Sequence, residues 1–151
     1  MHKVLILGIG NLLQKDDGVG SHIIRHIADA GIELPSEAEA IDGGTAGYDL
    51  IPLMKDREKI VIIDALKVND APGSVYRFSP EHLLSSREIY SLHDLGVRDI
   101  IKQLNLLGDD PKIEIIGIVP EDIETLEIGL SDSVRNSIPK AVDQILSAAA
   151  I

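Results

Sequence analysis

Apolar residues along this chain fall into two rhythms. Short unbroken runs, KVLIL at 3–7 and IVII at 60–63, have the look of strands buried on both faces, and 60–63 reads as the central one. Between and after them, apolar positions recur at helical spacing. Val19, Ile23 and Ile27 line one face of a predicted helix over 19–30, with Gly31 as its C-terminal stop. Strands are predicted at 38–41, at 74–78 as an antiparallel edge after the Ala71-Pro72-Gly73 turn, and at 113–119, where Pro120 ends the run. A short helix is predicted over 48–54 and an amphipathic one over 94–107, with Leu95, Ile100, Ile101 and Leu104 inward. The last helix starts at Ser131 as N-cap and runs to the end, with Val134, Ile138, Val142, Ile145 and Ala149 in line and a kink at Pro139. Strands alternating with helices predict a largely parallel sheet covered on both faces, in one α/β domain over 1–151.

Composition narrows the chemistry. Aromatic residues make up only 3%, so the core is aliphatic. There is no cysteine, which removes disulfides, thiolate nucleophiles and cysteine zinc sites, and any metal must be held by oxygen and imidazole. The net charge of −11, with scattered Lys and Arg, leaves no basic face for nucleic acid and disfavours acidic lipid surfaces. No stretch approaches the roughly 20 apolar residues that span a bilayer, and the N-terminal run is too short for a signal peptide. A cytoplasmic protein is expected.

In α/β sheets the loops leaving the carboxyl ends of the strands build the site, where the strand order reverses. The first such loop is GIGNLLQKDDGVG at 8–20. It resembles a dinucleotide fingerprint, but Leu13 stands where the third glycine, the one for close helix–strand packing, belongs. A Walker A loop is absent. Asp16 and Asp17 sit where a phosphate would bind, and either could instead cap the following helix. Asp64, directly after the central strand in VIIDAL, is costly to bury unless paired or bound to metal. His93 in SLHDLG opens a helix and taken alone reads as a surface or capping residue. His22 and His26 form an i, i+4 pair without the glutamate of a zinc protease motif, and read as a solvated flank. The loop DGGTAG, with Asp42, Gly43, Gly44 and Thr45, is either a tight turn or a place where another chain approaches bare backbone.

Taken in order, GIGNLLQKDDGVG, IDGGTAG, VIIDAL, PGSVYRF, SLHDLG and IGIVPE resemble the hydrogenase maturation endopeptidases, which trim the C-terminus of the [NiFe]-hydrogenase large subunit. The resemblance covers nearly the whole chain. It implies a three-layer α/β/α sandwich around a twisted, mixed, mostly parallel five-stranded sheet. It also implies a metal-contacting triad of Asp17, Asp64 and His93, with Asp16 as a weak candidate for general base and Asp42, Gly43, Gly44 and Thr45 touching substrate. Two carboxylates and an imidazole suit Ni²⁺ or Zn²⁺. In the family the nickel is already inserted in the large-subunit precursor, so no permanently bound metal is expected here, and a monomer is expected. Asp94 is the sole evident hydrogen-bond partner for His93. The competing readings are a non-catalytic nickel-binding chaperone and a nucleotide-binding module.

Overall fold

The computed structural model describes residues 2–81 and 97–150. Its elements are β1 (Val4–Ile9), α1 (Val19–Asp29), β2 (Ala38–Gly44), α2 (Ile51–Met54), β3 (Lys59–Ala65), β4 (Val75–Phe78), α3 (Val97–Leu106), β5 (Lys112–Ile118), α4 (Asp132–Arg135) and α5 (Ile138–Ala149). Short 3₁₀ turns at Lys15–Gly18 and Gly47–Leu50 lead into α1 and α2. The sheet order is β2-β1-β3-β5-β4. Every pairing is parallel except β4 against β5, which makes β4 the antiparallel edge expected from its sequence.

All six residues of β1 are buried, as are all of β3 except Lys59, because helices cover both faces of the sheet. Alternation along the strands splits the core in two. Val4, Ile6, Val61 and Ile63 pack against Ile23 and Ile27 of α1 and against Val142 and Ile145 of α5. Leu5, Leu7, Ile60 and Ile62 face the other way, onto Met54 of α2 and onto Val97, Ile100 and Leu104 of α3. The result is the mixed five-stranded α/β/α sandwich.

Several local expectations hold. Val19, Ile23 and Ile27 are buried, and Gly31 stands just past α1 with φ +63°, its N–H on the Ala28 carbonyl. The C-terminal segment differs. One helix kinked at Pro139 is replaced by a single turn, α4, and a separate helix, α5, with Pro139 in its first turn, where a missing N–H costs nothing. Leu95 and the start of the helix expected from residue 94 lie outside the described residues.

Close packing of α1 on the sheet is what positions the site. A Cβ built on Gly20 would stand 2.4 Å from the carbonyl oxygens of both Ile9 and Ile63, and one on Gly8 would stand 2.4 Å from the Gly20 oxygen. The helix backbone therefore rests directly on the ends of β1 and β3. The missing third glycine at Leu13 is no loss, since Gly20 does that task further along.

Candidate active site

The strand order reverses between β1 and β3: β2 lies to one side of β1, and β3, β5 and β4 to the other. Loops leaving the carboxyl ends of β1 and β3 therefore flank the switch point. Asp17 lies in the 3₁₀ turn after β1, and that turn packs against β3, which carries Asp64 near its end. Helix packing at Gly20 fixes the two loops against each other. Asp17 is half-buried, and its Oδ2 accepts the Asn11 backbone N–H at 3.1 Å. Asp64 is fully buried, and its Oδ1 accepts the Ala65 N–H at 2.8 Å. Alternation puts its side chain on the sheet face that α3 covers. Among the described residues no group of three or more His, Asp or Glu side chains stands close enough to hold a metal. His93, the third expected ligand, lies outside the described residues, as does Asp94.

The twin aspartates have separate tasks. Asp16 is fully buried. Its Oδ2 accepts the N–H groups of Glu121 and Asp122, both at 3.0 Å, and the Ser131 hydroxyl at 2.7 Å. Its Oδ1 accepts the Ser131 N–H at 2.8 Å. Four donors occupy the carboxylate and make it a clasp between the loop after β1 and the loop after β5, which corrects the idea of Asp16 as an available general base. Neither aspartate caps α1 with its side chain either; Gly18 is the N-cap and carries none. Ser131 does occupy the N-cap position of α4, but its hydroxyl serves Asp16 and not the helix.

Opposite this clasp, β2 runs on through Asp42 to Gly44, further than the expected end at residue 41. Asp42 accepts the Ser21 hydroxyl at 2.6 Å, the Gly44 N–H at 3.1 Å and the Arg25 Nε at 3.4 Å, so it ties the GGT loop to α1. The Gly10 N–H reaches the Gly44 carbonyl at 2.9 Å and joins this loop to the first one. Between them lies an open cleft of about 280 Å³, lined by Gly10, Asn11, Arg25, Gly43, Gly44 and Thr45 among others. The two glycines differ in surroundings. A Cβ on Gly43 would press at 2.9 Å on Leu7 and Leu50, whereas Gly44, at φ +52°, has open space around it.

His22 is not the solvated flank its spacing suggested. Its Nε2 is buried without a hydrogen-bond partner among the described residues, while His26 is exposed. Burial, and then the nearby Arg25 guanidinium, lower its pKa below 6.5, against the opposing pull of Asp16 and Asp42. Periodicity alone does not find this, because His22 stands beside the apolar stripe and not in it.

A sequence model described as hydrogenase maturation protease matches residues 21–148. The chain belongs to the hydrogenase maturation protease family. The hydrogenase 2 maturation protease of Escherichia coli is 35% identical over 97% of this chain and 90% of its own length. Among solved structures, the hydrogenase maturating endopeptidase HybD from E. coli superposes with a TM-score of 0.83 at 33% identity, over 97% of this chain and 91% of that one. The [NiFe] hydrogenase maturation protease HybD from Thermococcus kodakarensis gives 0.82 at 36% identity, over 97% and 99%. The protease is thus a hydrolase of the α/β class, and the nucleotide-module and non-catalytic chaperone readings are set aside. No helix among the described residues of the protease is long and apolar enough to cross a membrane.

Proposed function

We propose that this protease removes the C-terminal extension of a [NiFe]-hydrogenase large-subunit precursor after nickel insertion, with Asp17, Asp64 and His93 closing on the substrate's nickel. The observation that carries this reading is the pair of carboxylates at the switch point, Asp17 in the loop after β1 and Asp64 at the carboxyl end of β3. The segment bearing His93 leads into α3, the helix packed on the sheet face to which Asp64 belongs. Two carboxylates and one imidazole form an open, oxygen-rich donor set that adds to a metal already held by thiolates, and with three donors and no thiolate it holds metal weakly by itself. Weak affinity suits a sensor, since a permanently filled site could not report whether the precursor is loaded. The same reading has the enzyme working in the cytoplasm as a monomer.

Incubating the purified protein with nickel-loaded and nickel-free precursor, and following the mass of the product, tests it. Only the loaded precursor should lose its tail, and added zinc should not rescue the other. Full-rate cleavage of nickel-free precursor, or a protease that purifies with stoichiometric tightly bound metal, would overturn the mechanism.

In this reading the GGT loop lies along the path of the extended tail. Gly44→Phe should fold, because its side chain enters open space and the left-handed φ costs about 1–2 kcal/mol. Processing by that variant should nevertheless fall well below wild type. Normal cleavage by Gly44→Phe would reduce the loop to a turn.

A further inference from the structure

Three large aliphatic side chains stand in water on two loops, one of which also lines the cleft: Leu13 is 59% exposed, Leu126 80% and Ile128 68%. One exposed leucine needs no explanation, but three on adjoining segments form a patch. The segments are joined by a short parallel bridge. Gln14 pairs with Glu127, the Lys15 N–H donates to the Glu127 carbonyl at 3.0 Å, and the Glu127 N–H donates to the Leu13 carbonyl at 3.0 Å. Leu13, Leu126 and Ile128 are the immediate chain neighbours of the two bridged residues. The four bonds to Asp16 lock the same two loops together, and Lys15 is held at φ +48°, a conformation that costs a non-glycine residue about 1–2 kcal/mol. The patch is therefore a built platform.

We infer that Leu13, Leu126 and Ile128 are the apolar centre of the surface on which the precursor docks, facing an apolar patch with a basic rim on that partner. The inference rests on the substrate reading above. Position favours it, because the loop bearing Leu13 ends at Asp17. Charge selects the partner's chemistry: the turn leading into Leu126 carries Glu121, Asp122 and Glu124, and the nearby cation Lys15 is itself 3.7 Å from Glu127. A second copy of this chain would bring the same acidic rim and be repelled. Three aliphatic side chains are also far short of the roughly 800 Å² per partner that a stable complex buries, and suit the centre of a transient one.

The test is steady-state processing of nickel-loaded large-subunit precursor by a Leu13→Ser, Leu126→Ser, Ile128→Ser triple variant. KM should rise about tenfold or more with kcat unchanged, and Glu124→Lys should raise KM and flatten its dependence on salt. If the triple variant melts early, Leu126→Ser and Ile128→Ser, at the most exposed positions, are read singly. An unchanged KM overturns the platform, and so does a fall in kcat alone. A wild-type dimer in sedimentation that the triple variant loses assigns the patch to self-association instead. If wild type fails to cut the loaded precursor, the processing reading falls, and calorimetric titration of precursor into both proteins then decides the platform: equal affinities refute it.

Discussion

Replacing Asp16 with alanine should lower the free energy of unfolding by about 3–5 kcal/mol. Among the described residues no cation is paired with Asp16; it is held by three backbone N–H groups and one hydroxyl, all from residues 121, 122 and 131. Hydrogen bonds to a charged group contribute about 1.5–3 kcal/mol each, and a buried donor left without an acceptor costs about 1–3 kcal/mol. The sum is discounted because water can enter the space an alanine leaves. Ser131→Ala removes a single donor and should cost only about 1–2 kcal/mol. Asp16→Asn keeps the shape but turns an amide donor toward at least one existing donor, so it should fall between the two. Urea unfolding of the three variants orders them. A loss below about 1 kcal/mol for Asp16→Ala would mean that the clasp is not what holds these loops.

Asp17→Asn should do the reverse, leaving the fold within about 1 kcal/mol of wild type while processing falls roughly 100-fold or more. Asp17 is half-buried and accepts the Asn11 N–H, a bond that an asparagine carbonyl can still accept. What the substitution removes is the negative charge, and a neutral amide is a poor donor to a divalent ion compared with a carboxylate. Asp64→Asn should cause a loss of similar size, since it sits across the switch point at the carboxyl end of β3. Parallel melting curves and mass-spectrometric progress curves read both quantities. An Asp17→Asn enzyme that trims loaded precursor at close to the wild-type rate would remove Asp17 from the nickel site. In the expected outcome the adjacent aspartates have opposite phenotypes, one on stability and one on chemistry.

Much of the fold was legible because its signals are local. The unbroken apolar runs of β1 and β3, the spacing of α1, the Ala71-Pro72-Gly73 turn and the edge position of β4 all follow from neighbours in sequence. The carboxyl-end rule likewise points to Asp17 and Asp64. What was illegible depends on distant partners. Which member of DDG is buried is decided by residues 121, 122 and 131, and nothing near Asp16 announces them. The Gln14–Glu127 bridge is likewise set by a loop far along the chain. The break between α4 and α5 is a different failure. Apolar spacing runs through it from Val134 to Ile145 and predicts one helix kinked at Pro139, but Pro139 marks the first turn of a second helix.

The clasp also has a consequence for when the enzyme can work. Asp16 and Ser131 are separated by 115 positions in the chain. During synthesis the loop bearing Asp17 emerges early, but its anchor is not made until most of the polypeptide has left the ribosome. At about 5–20 residues per second this delay lasts seconds. Through that interval the nascent chain holds its first candidate nickel-facing carboxylate in an unsecured loop, with no donor from residue 131 to fix it. Securing the loop that bears Asp17 is therefore a late event, completed only when residues 121–131 fold back onto it.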